Sequence, residues 1–299
     1  MTIRVGINGF GRIGRNFLRA ARKMDAPIEI VAVNDLTSPQ VNAHLLAYDS
    51  TQGPLGVPVS VDGEFIRVGD TAIRVLAERD PKALPWGDLG VDVVVESTGI
   101  FTDGAKASAH LEAGAKKVVI SAPATNVDGT FLIGVNDDTY DPAVHHVVSN
   151  ASCTTNCFVP MVKVVDDAFG VKKGLMTTVH AYTNDQNLLD LTHKDLRRAR
   201  AAAVNIVPSS TGAARATSLV MPSMKGLLDG GALRVPVPAG SITDLTAIVN
   251  AEVDKEGINA AFAKAASEGP LSRVLVYTAD PNVSSDIVGS PASCTFDSA

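Results

Sequence analysis

Short, nearly continuous apolar runs alternate with stretches of helical spacing through the first half of the chain. Ile3-Arg4-Val5-Gly6-Ile7-Asn8 reads as a strand, and apolar positions at Phe17, Leu18 and Ala21 mark a helix after it. A second apolar run, residues 28–33, ends at Asn34-Asp35. Further strands are expected at residues 73–77, 91–95, 117–120 and 131–133, with a helix over residues 103–113. Strands that are apolar throughout, rather than alternating, and that are separated by helices signal a parallel sheet covered on both faces.

The rhythm changes near Ser149. Apolar Cys157, Met161, Val164, Val165 and Ala168 keep helical spacing, and Pro160 inside that pattern is expected to kink the helix or limit its first turn. Residues 174–180 read as a strand, and residues 181–207 show little periodicity. Residues 241–250 and 273–277 read as strands flanking an Ala-rich helix over residues 255–267. The expected class is therefore α/β: a doubly wound parallel sheet over residues 1–149, then an α+β domain over residues 150–299 with a mixed, largely antiparallel sheet.

The turn after the first strand, Gly9-Phe10-Gly11-Arg12-Ile13-Gly14, carries the G-x-G-x-x-G spacing, with Asp35 at the end of the next strand. Strand, glycine turn, helix and downstream acid together form the dinucleotide fingerprint. Gly9 and Gly11 allow a tight turn and close backbone approach, the helix start faces a pyrophosphate, and Asp35 accepts from ribose hydroxyls while repelling a 2′-phosphate. Ser97, Thr98, Gly99 and Ser121 end later strands, where such sheets bind ligands. Arg79, past another strand, either reaches the adenine side or is simply solvated.

Composition narrows the class. With 299 residues, 45% of them hydrophobic and 19% charged, the chain suits two globular domains. A formal net charge of -6 argues against nucleic-acid or membrane-surface partners. Three cysteines in a long chain do not make a disulfide framework, so a reducing compartment is expected. Met1 leads straight into a strand pattern without a targeting segment, and no apolar run approaches a membrane span. A soluble, cytoplasmic protein is the expectation.

Ser149-Asn150-Ala151-Ser152-Cys153-Thr154-Thr155-Asn156-Cys157 sits between an apolar run and a helical pattern. Ser152, Thr154 and Thr155 suit a helix start, where unpaired N–H groups lower a thiol's pKa. Taken alone, the stretch fits a buried structural cysteine as well as a reactive one. Cys157, one turn on, is expected to pack, and Cys-x-x-x-Cys is not a usual metal spacing, so no metal is expected. His180 ends the strand that follows, and Cys plus His is the minimum for thiol catalysis. Residues 194–200 hold a basic cluster in which Arg197 and Arg200 read as a solvated helical face. Downstream hydroxyls and Arg234 add groups suited to phosphate anions.

With these stretches in hand, the whole chain resembles the phosphorylating glyceraldehyde-3-phosphate dehydrogenases of the bacterial type. The resemblance rests on residues 4–15, Glu96-Ser97-Thr98-Gly99, residues 149–157, Thr177-Thr178-Val179-His180-Ala181-Tyr182-Thr183-Asn184-Asp185-Gln186 and residues 195–203. Thr211-Gly212-Ala213-Ala214, Arg234-Val235-Pro236-Val237-Pro238 and Ser284-Ser285-Asp286-Ile287 extend it. It implies a Rossmann-type NAD-binding domain, a catalytic domain and a homotetramer in which residues 181–207 form a subunit contact. It implies Cys153 as nucleophile toward glyceraldehyde 3-phosphate, His180 as general base, and inorganic phosphate as the second substrate. Thr183 and Arg234 match ligands of the substrate phosphate; Ser152, Thr154, Thr211 and Gly212 match those of the attacking phosphate; Arg198 serves the anion sites generally. Arg12, Ile13, Asp35, Arg79 and Ser121 match cofactor contacts, and Asn184 a residue beside the nicotinamide.

Two departures stand out. Leu191-Thr192 replaces the Leu-Pro usual in NAD-preferring members. Family chains also continue past the position of Ala299, through a strand and helix that complete the nicotinamide site, so a chain ending there is expected to expose apolar surface. Two alternatives follow: an erythrose-4-phosphate dehydrogenase, or a shortened chain that binds nucleotide without turnover.

Overall fold

The computed structural model describes residues 2–299, which fall into two units: residues up to Phe131 together with Tyr140–Ala151, and Leu132–Thr139 together with Ser152–Ala299. In the first, β1 (Ile3–Asn8), α1 (Arg12–Lys23), β2 (Ile28–Asn34) and α2 (Pro39–Ala47) follow in turn. A small hairpin, β3 (Tyr48–Asp49) and β4 (Gly53–Pro54), precedes β5 (Val59–Asp62), β6 (Phe65–Val68) and β7 (Thr71–Leu76). Then come β8 (Val93–Glu96), α3 (Gly104–Ala107), α4 (Ala109–Glu112), β9 (Lys117–Ile120), β10 (Gly129–Thr130) and β11 (Val147–Ser149).

All strands of this unit except the hairpin form one nine-stranded sheet in the order β10-β11-β9-β8-β1-β2-β7-β6-β5. It is parallel from β10 through β7, with β6 and β5 antiparallel at the edge. Ile7 and Val33 pack in one core cluster, Ala32 and Val94 in another, so both faces are covered. That double burial is why the inner strands read as unbroken apolar runs. From β1 the chain progresses outward to β2 and β7, then returns to place β8 on the opposite side of β1. The reversal between β1 and β8 is the topological switch point, and ligands of such sheets bind beyond the strand C-termini there.

Two elements of this unit differ from expectation. Residues 131–133 are not a strand; Gly129–Thr130 pairs with Val148 and Ser149 instead. Phe131 packs its ring on Tyr140 and His145, while the N–H groups of Leu132 and Gly134 go to the side chains of Asn136 and Asp137. Apolar character there served packing rather than a ladder. The helix expected over residues 103–113 is split at Ser108 into α3 and α4, with Asp103 Oδ1 accepting from Ala105 N at its start.

The second unit holds α5 (Cys153–Phe169), β12 (Val171–Ala181), β13 (Val207–Ser209), α6 (Ala213–Ala216), β14 (Leu228–Val235), β15 (Ile242–Val249), α7 (Lys255–Ser267), β16 (Leu275–Thr278) and β17 (Cys294–Asp297). Its four-stranded sheet runs β13-β14-β12-β15, parallel between β12 and β14 and antiparallel at the other two pairings. Val164 of α5 and Phe262 of α7 pack with Leu271, Leu275 and Cys294, and Cys157 lies against this cluster. α5 runs unbroken through Pro160, so the proline neither limits nor ends it. Residues 270–273 form a 3-10 turn, and the strand expected from residue 273 begins at Leu275. Among the described residues, no helix is long and apolar enough to cross a membrane, and no cluster of His, Cys, Asp or Glu could hold a metal ion.

Candidate active site

At the switch point of the first unit, the chain's own sterics explain two of the three glycines. Gly9 has φ +89°, and a Cβ there would lie 2.6 Å from the Thr98 backbone nitrogen. A Cβ on Gly14 would lie 2.2 Å from the Gly9 carbonyl oxygen. Gly11 is different: a Cβ there would meet nothing within 4 Å. No neighbouring atom of the chain demands a glycine there, and its lack of a side chain leaves the approach to the helix start open. α1 begins on Gly11 with no side-chain cap and no acidic residue in its first turn, so its first N–H groups and positive dipole end stay available for an anion.

The remaining cleft residues line strand ends. Asp35 Oδ2 accepts from Phe10 N at 3.0 Å and Oδ1 from Thr37 N at 3.1 Å, leaving further lone pairs for ribose hydroxyls. Ser97 Oγ donates to the Gly9 carbonyl at 2.7 Å, and Ser121 Oγ to the Glu96 carbonyl at 3.1 Å. Gly99 follows Thr98 in the same turn. Arg12 is already engaged, with Nη1 2.5 Å from Asp49 Oδ2 and Nη2 donating to Thr51 Oγ1 at 2.7 Å. Burial raises the Asp49 carboxyl, but the backbone N–H groups of Thr51 and Gln52, the Thr51 hydroxyl and Arg12 outweigh it and hold the group well below the usual carboxylate range. Ile13 and Arg79 are exposed. These groups fit a dinucleotide.

The second unit builds the thiol site. Ser152 caps α5, its Oγ accepting from Thr155 N at 3.0 Å, which puts Cys153 on the first helical residue with an exposed face. Along β12, Met176, Thr178 and His180 share the buried face by strand alternation. His180 Nε2 stands 3.3 Å from Cys153 Sγ. Partial enclosure pushes the Cys153 thiol up, but the His180 hydrogen bond and charge, with donors on Thr154, bring it below the ordinary thiol value.

Arg234 is His180's direct partner in the parallel β12–β14 register. His180 Nδ1 lies 2.6 Å from the Ala181 carbonyl oxygen and 2.7 Å from Arg234 Nη1. A guanidinium only donates, so a neutral ring taking that bond on Nδ1 turns Nε2–H toward the sulfur. An imidazolium paired with a thiolate is protonated on both nitrogens; its Nδ1–H then goes to the Ala181 carbonyl, which also accepts from Arg234 Nη1 at 3.0 Å.

Beyond this pair, Thr183 and Arg198 both bond the Asp185 carboxylate, and Arg198 Nε lies 3.5 Å from Asp195. Burial raises the Asp185 carboxyl, but the Thr183 hydroxyl and the guanidinium groups of Arg198 and Arg234 hold it below its ordinary value. The Nε of Arg234 is buried without a hydrogen-bond partner, which suits it to an arriving anion, whereas Arg198 Nε already has the Asp195 carboxylate beside it. Thr154 is buried, Thr211 Oγ1 accepts from Ala213 N at 3.2 Å, Gly212 begins α6, and Asn184 is exposed. Arg200 pairs with Asp190 at the surface, 2.8 Å apart. Sequence reading assigned no role to Asp185 or Asp49. Both are single carboxylates in polar stretches, and only folding reveals which arginine each meets.

The comparisons with known proteins agree with both ends. Residues 3–104 match the family described as "Glyceraldehyde 3-phosphate dehydrogenase, NAD binding domain", and residues 152–299 match "Glyceraldehyde 3-phosphate dehydrogenase, C-terminal domain". The chain is 63% identical over 298 residues to the glyceraldehyde-3-phosphate dehydrogenase of Streptomyces coelicolor, a match covering 100% of this chain and 89% of that protein. It is 62% identical over 299 residues to glyceraldehyde-3-phosphate dehydrogenase 2 of Streptomyces avermitilis, with the same coverage. With the corresponding Mycobacterium avium protein it shares 62% over 304 residues, again covering 100% and 89%. A fingerprint that fits NAD, a thiol held against an imidazole and two matching domain families place this chain in the glyceraldehyde-3-phosphate dehydrogenase family.

Proposed function

We propose that Cys153 and His180 carry out the NAD-dependent oxidative phosphorylation of D-glyceraldehyde 3-phosphate to 1,3-bisphosphoglycerate, a glycolytic step. In this reading residues 1–149 form the NAD domain and residues 150–299 the catalytic one. The observation that carries it is the 3.3 Å contact between Cys153 Sγ and His180 Nε2 at the start of a capped helix.

The Cys153 thiolate attacks the aldehyde carbon, a carbon–sulfur bond forms, and the carbonyl oxygen takes a proton from the His180 imidazolium. Backbone N–H groups at the start of α5 stabilise the negative oxygen as it develops. His180 Nε2 then removes the hydroxyl proton of the hemithioacetal. Bound NAD supplies the acceptor for the electron pair of the carbon–hydrogen bond, and a thioester on Cys153 is left. A phosphate oxygen attacks that carbonyl, the carbon–sulfur bond breaks, and the thiolate departs to its place beside the imidazolium. Thr183 and Arg234 hold the substrate phosphate; Ser152, Thr154, Thr211 and Gly212 hold the attacking one, with Arg198 serving both. Gly9, Gly11, Arg12, Ile13, Asp35, Arg79, Ser97, Thr98, Gly99, Ser121 and Asn184 hold NAD.

The test is the appearance of reduced nicotinamide absorbance when the chain meets NAD, glyceraldehyde 3-phosphate and phosphate. Cys153→Ser is expected to lower turnover by more than about 10³-fold while NAD still binds. Turnover retained in that variant sinks the assignment. The proposed assembly is a homotetramer in the cytoplasm, and sedimentation at equilibrium with and without NAD tests the former.

A further inference from the structure

Beneath the glycine turn runs a chain of buried polar side chains that none of the steps above uses. Trp86 Nε1 donates to His110 Nδ1 at 3.0 Å, and His110 Nε2 lies 2.9 Å from Glu96 Oε2. Asn8 Nδ2 donates to the same oxygen at 2.6 Å, and Asn34 Nδ2 donates to Asn8 Oδ1 at 2.7 Å. Trp86 and His110 are 0% exposed, and Glu96 and Asn8 2%. An indole N–H can only donate, so His110 Nδ1 is bare and the ring carries its proton on Nε2, directed at Glu96.

The two oxygens of Glu96 then have separate duties. Oε2 takes the inward donors, while Oε1 accepts from Thr98 N at 2.8 Å and Thr98 Oγ1 at 2.5 Å. Thr98 belongs to the turn that braces the glycine loop: Ser97 Oγ bonds the Gly9 carbonyl at 2.7 Å, and no Cβ fits between Gly9 and the Thr98 nitrogen. Asn8 closes the circuit at the end of β1. One buried carboxylate therefore ties together the ends of β1 and β8, the two strands that flank the switch point.

We propose that His110 and Glu96 are positioning residues for the cofactor: Trp86 locks the His110 tautomer, His110 fixes Glu96, and Glu96 holds the Ser97-Thr98-Gly99 turn in its NAD-binding shape. This rests on the NAD-binding reading of the cleft. Trp86 is the sole tryptophan of the chain, so its emission reports on the network directly.

The experiment compares His110→Leu with His110→Gln, whose amide can both accept from Trp86 and donate to Glu96. His110→Leu is expected to weaken NAD binding by calorimetry about tenfold, raising KM for NAD while kcat at saturating NAD stays within about twofold, and to shift Trp86 emission. His110→Gln is expected to restore NAD affinity to within about threefold. Unchanged NAD affinity in a folded His110→Leu, or equal loss in both variants, overturns the proposal. Should His110→Leu not fold, Trp86→Phe, which removes the indole donor, reads the same coupling. A severalfold loss of NAD affinity supports it and none overturns it. The unaltered chain is titrated alongside: failure to bind NAD there brings down the cleft reading itself, and this inference with it.

Discussion

α1 starts on Gly11 with no side chain on its first N–H groups, whereas α5 starts on Ser152, whose Oγ takes the Thr155 N–H. Both helix starts face negative charge in the proposed reaction, yet the chain treats them oppositely. At α1 the charge arrives with the ligand, so the donors are left unfilled and a glycine keeps the approach open. At α5 the charge develops on the protein's own Cys153 sulfur, whose pKa the site lowers before any substrate arrives. There the serine fixes the helix start, Thr154 donates toward the sulfur, and His180 completes the pair. One start is built for a guest and the other for a resident.

The sharpest way to break the comparison is at the resident charge. His180→Asn is expected to lower kcat by about 10²–10⁴-fold. It should also change the pH at which iodoacetamide alkylates Cys153. His180 holds the folded thiol below its ordinary value, so alkylation of the unaltered chain should rise through a midpoint below that of an unperturbed thiol. In the variant that midpoint should move upward, and an unmoved midpoint would mean that His180 does not set the thiolate.

Gly14→Ala comes next. Its Cβ would fall 2.2 Å from the Gly9 carbonyl, so the loop must shift. A loss of about 1–3 kcal/mol in urea unfolding, with weaker NAD binding, is expected. Ser152→Ala removes the cap and should cost about 1 kcal/mol in the same assay. Gly11→Ala should leave stability within about 0.5 kcal/mol while weakening NAD binding in a titration. If Gly11→Ala bound NAD as well as the unaltered chain, the contrast between the two helix starts would collapse.

Features governed by near neighbours in the chain were readable in advance. β1, β2, β8 and β9 are apolar because both sheet faces are covered, and Gly9 is required by a positive φ. A helix start among Ser152, Thr154 and Thr155 was readable for the same reason, and folding selects Ser152 as its cap. Residues 131–133 misled because an apolar run records burial and not the type of backbone bonding. The tertiary pairings were not readable at all. Arg12 meets Asp49 across 37 residues and His110 meets Glu96 across 14, and nothing in either residue's neighbours names its partner. The family resemblance named roles for Arg198 and Thr183, but not the Asp185 carboxylate that both bond.

The register of β12 against β14 carries one more consequence. His180 and Arg234 are opposite residues in adjacent parallel strands, and side chains along a strand alternate between faces. A slip of one residue would turn the guanidinium to the far side of the sheet, and a slip of two would carry it roughly 7 Å along. The spacing between imidazole and guanidinium is therefore digital: it is right or it is absent. Length changes in the connection between these strands, outside β13, leave that register untouched, whereas β13 itself pairs Val207 with Arg234. Insertions inside either strand cannot be absorbed in this way.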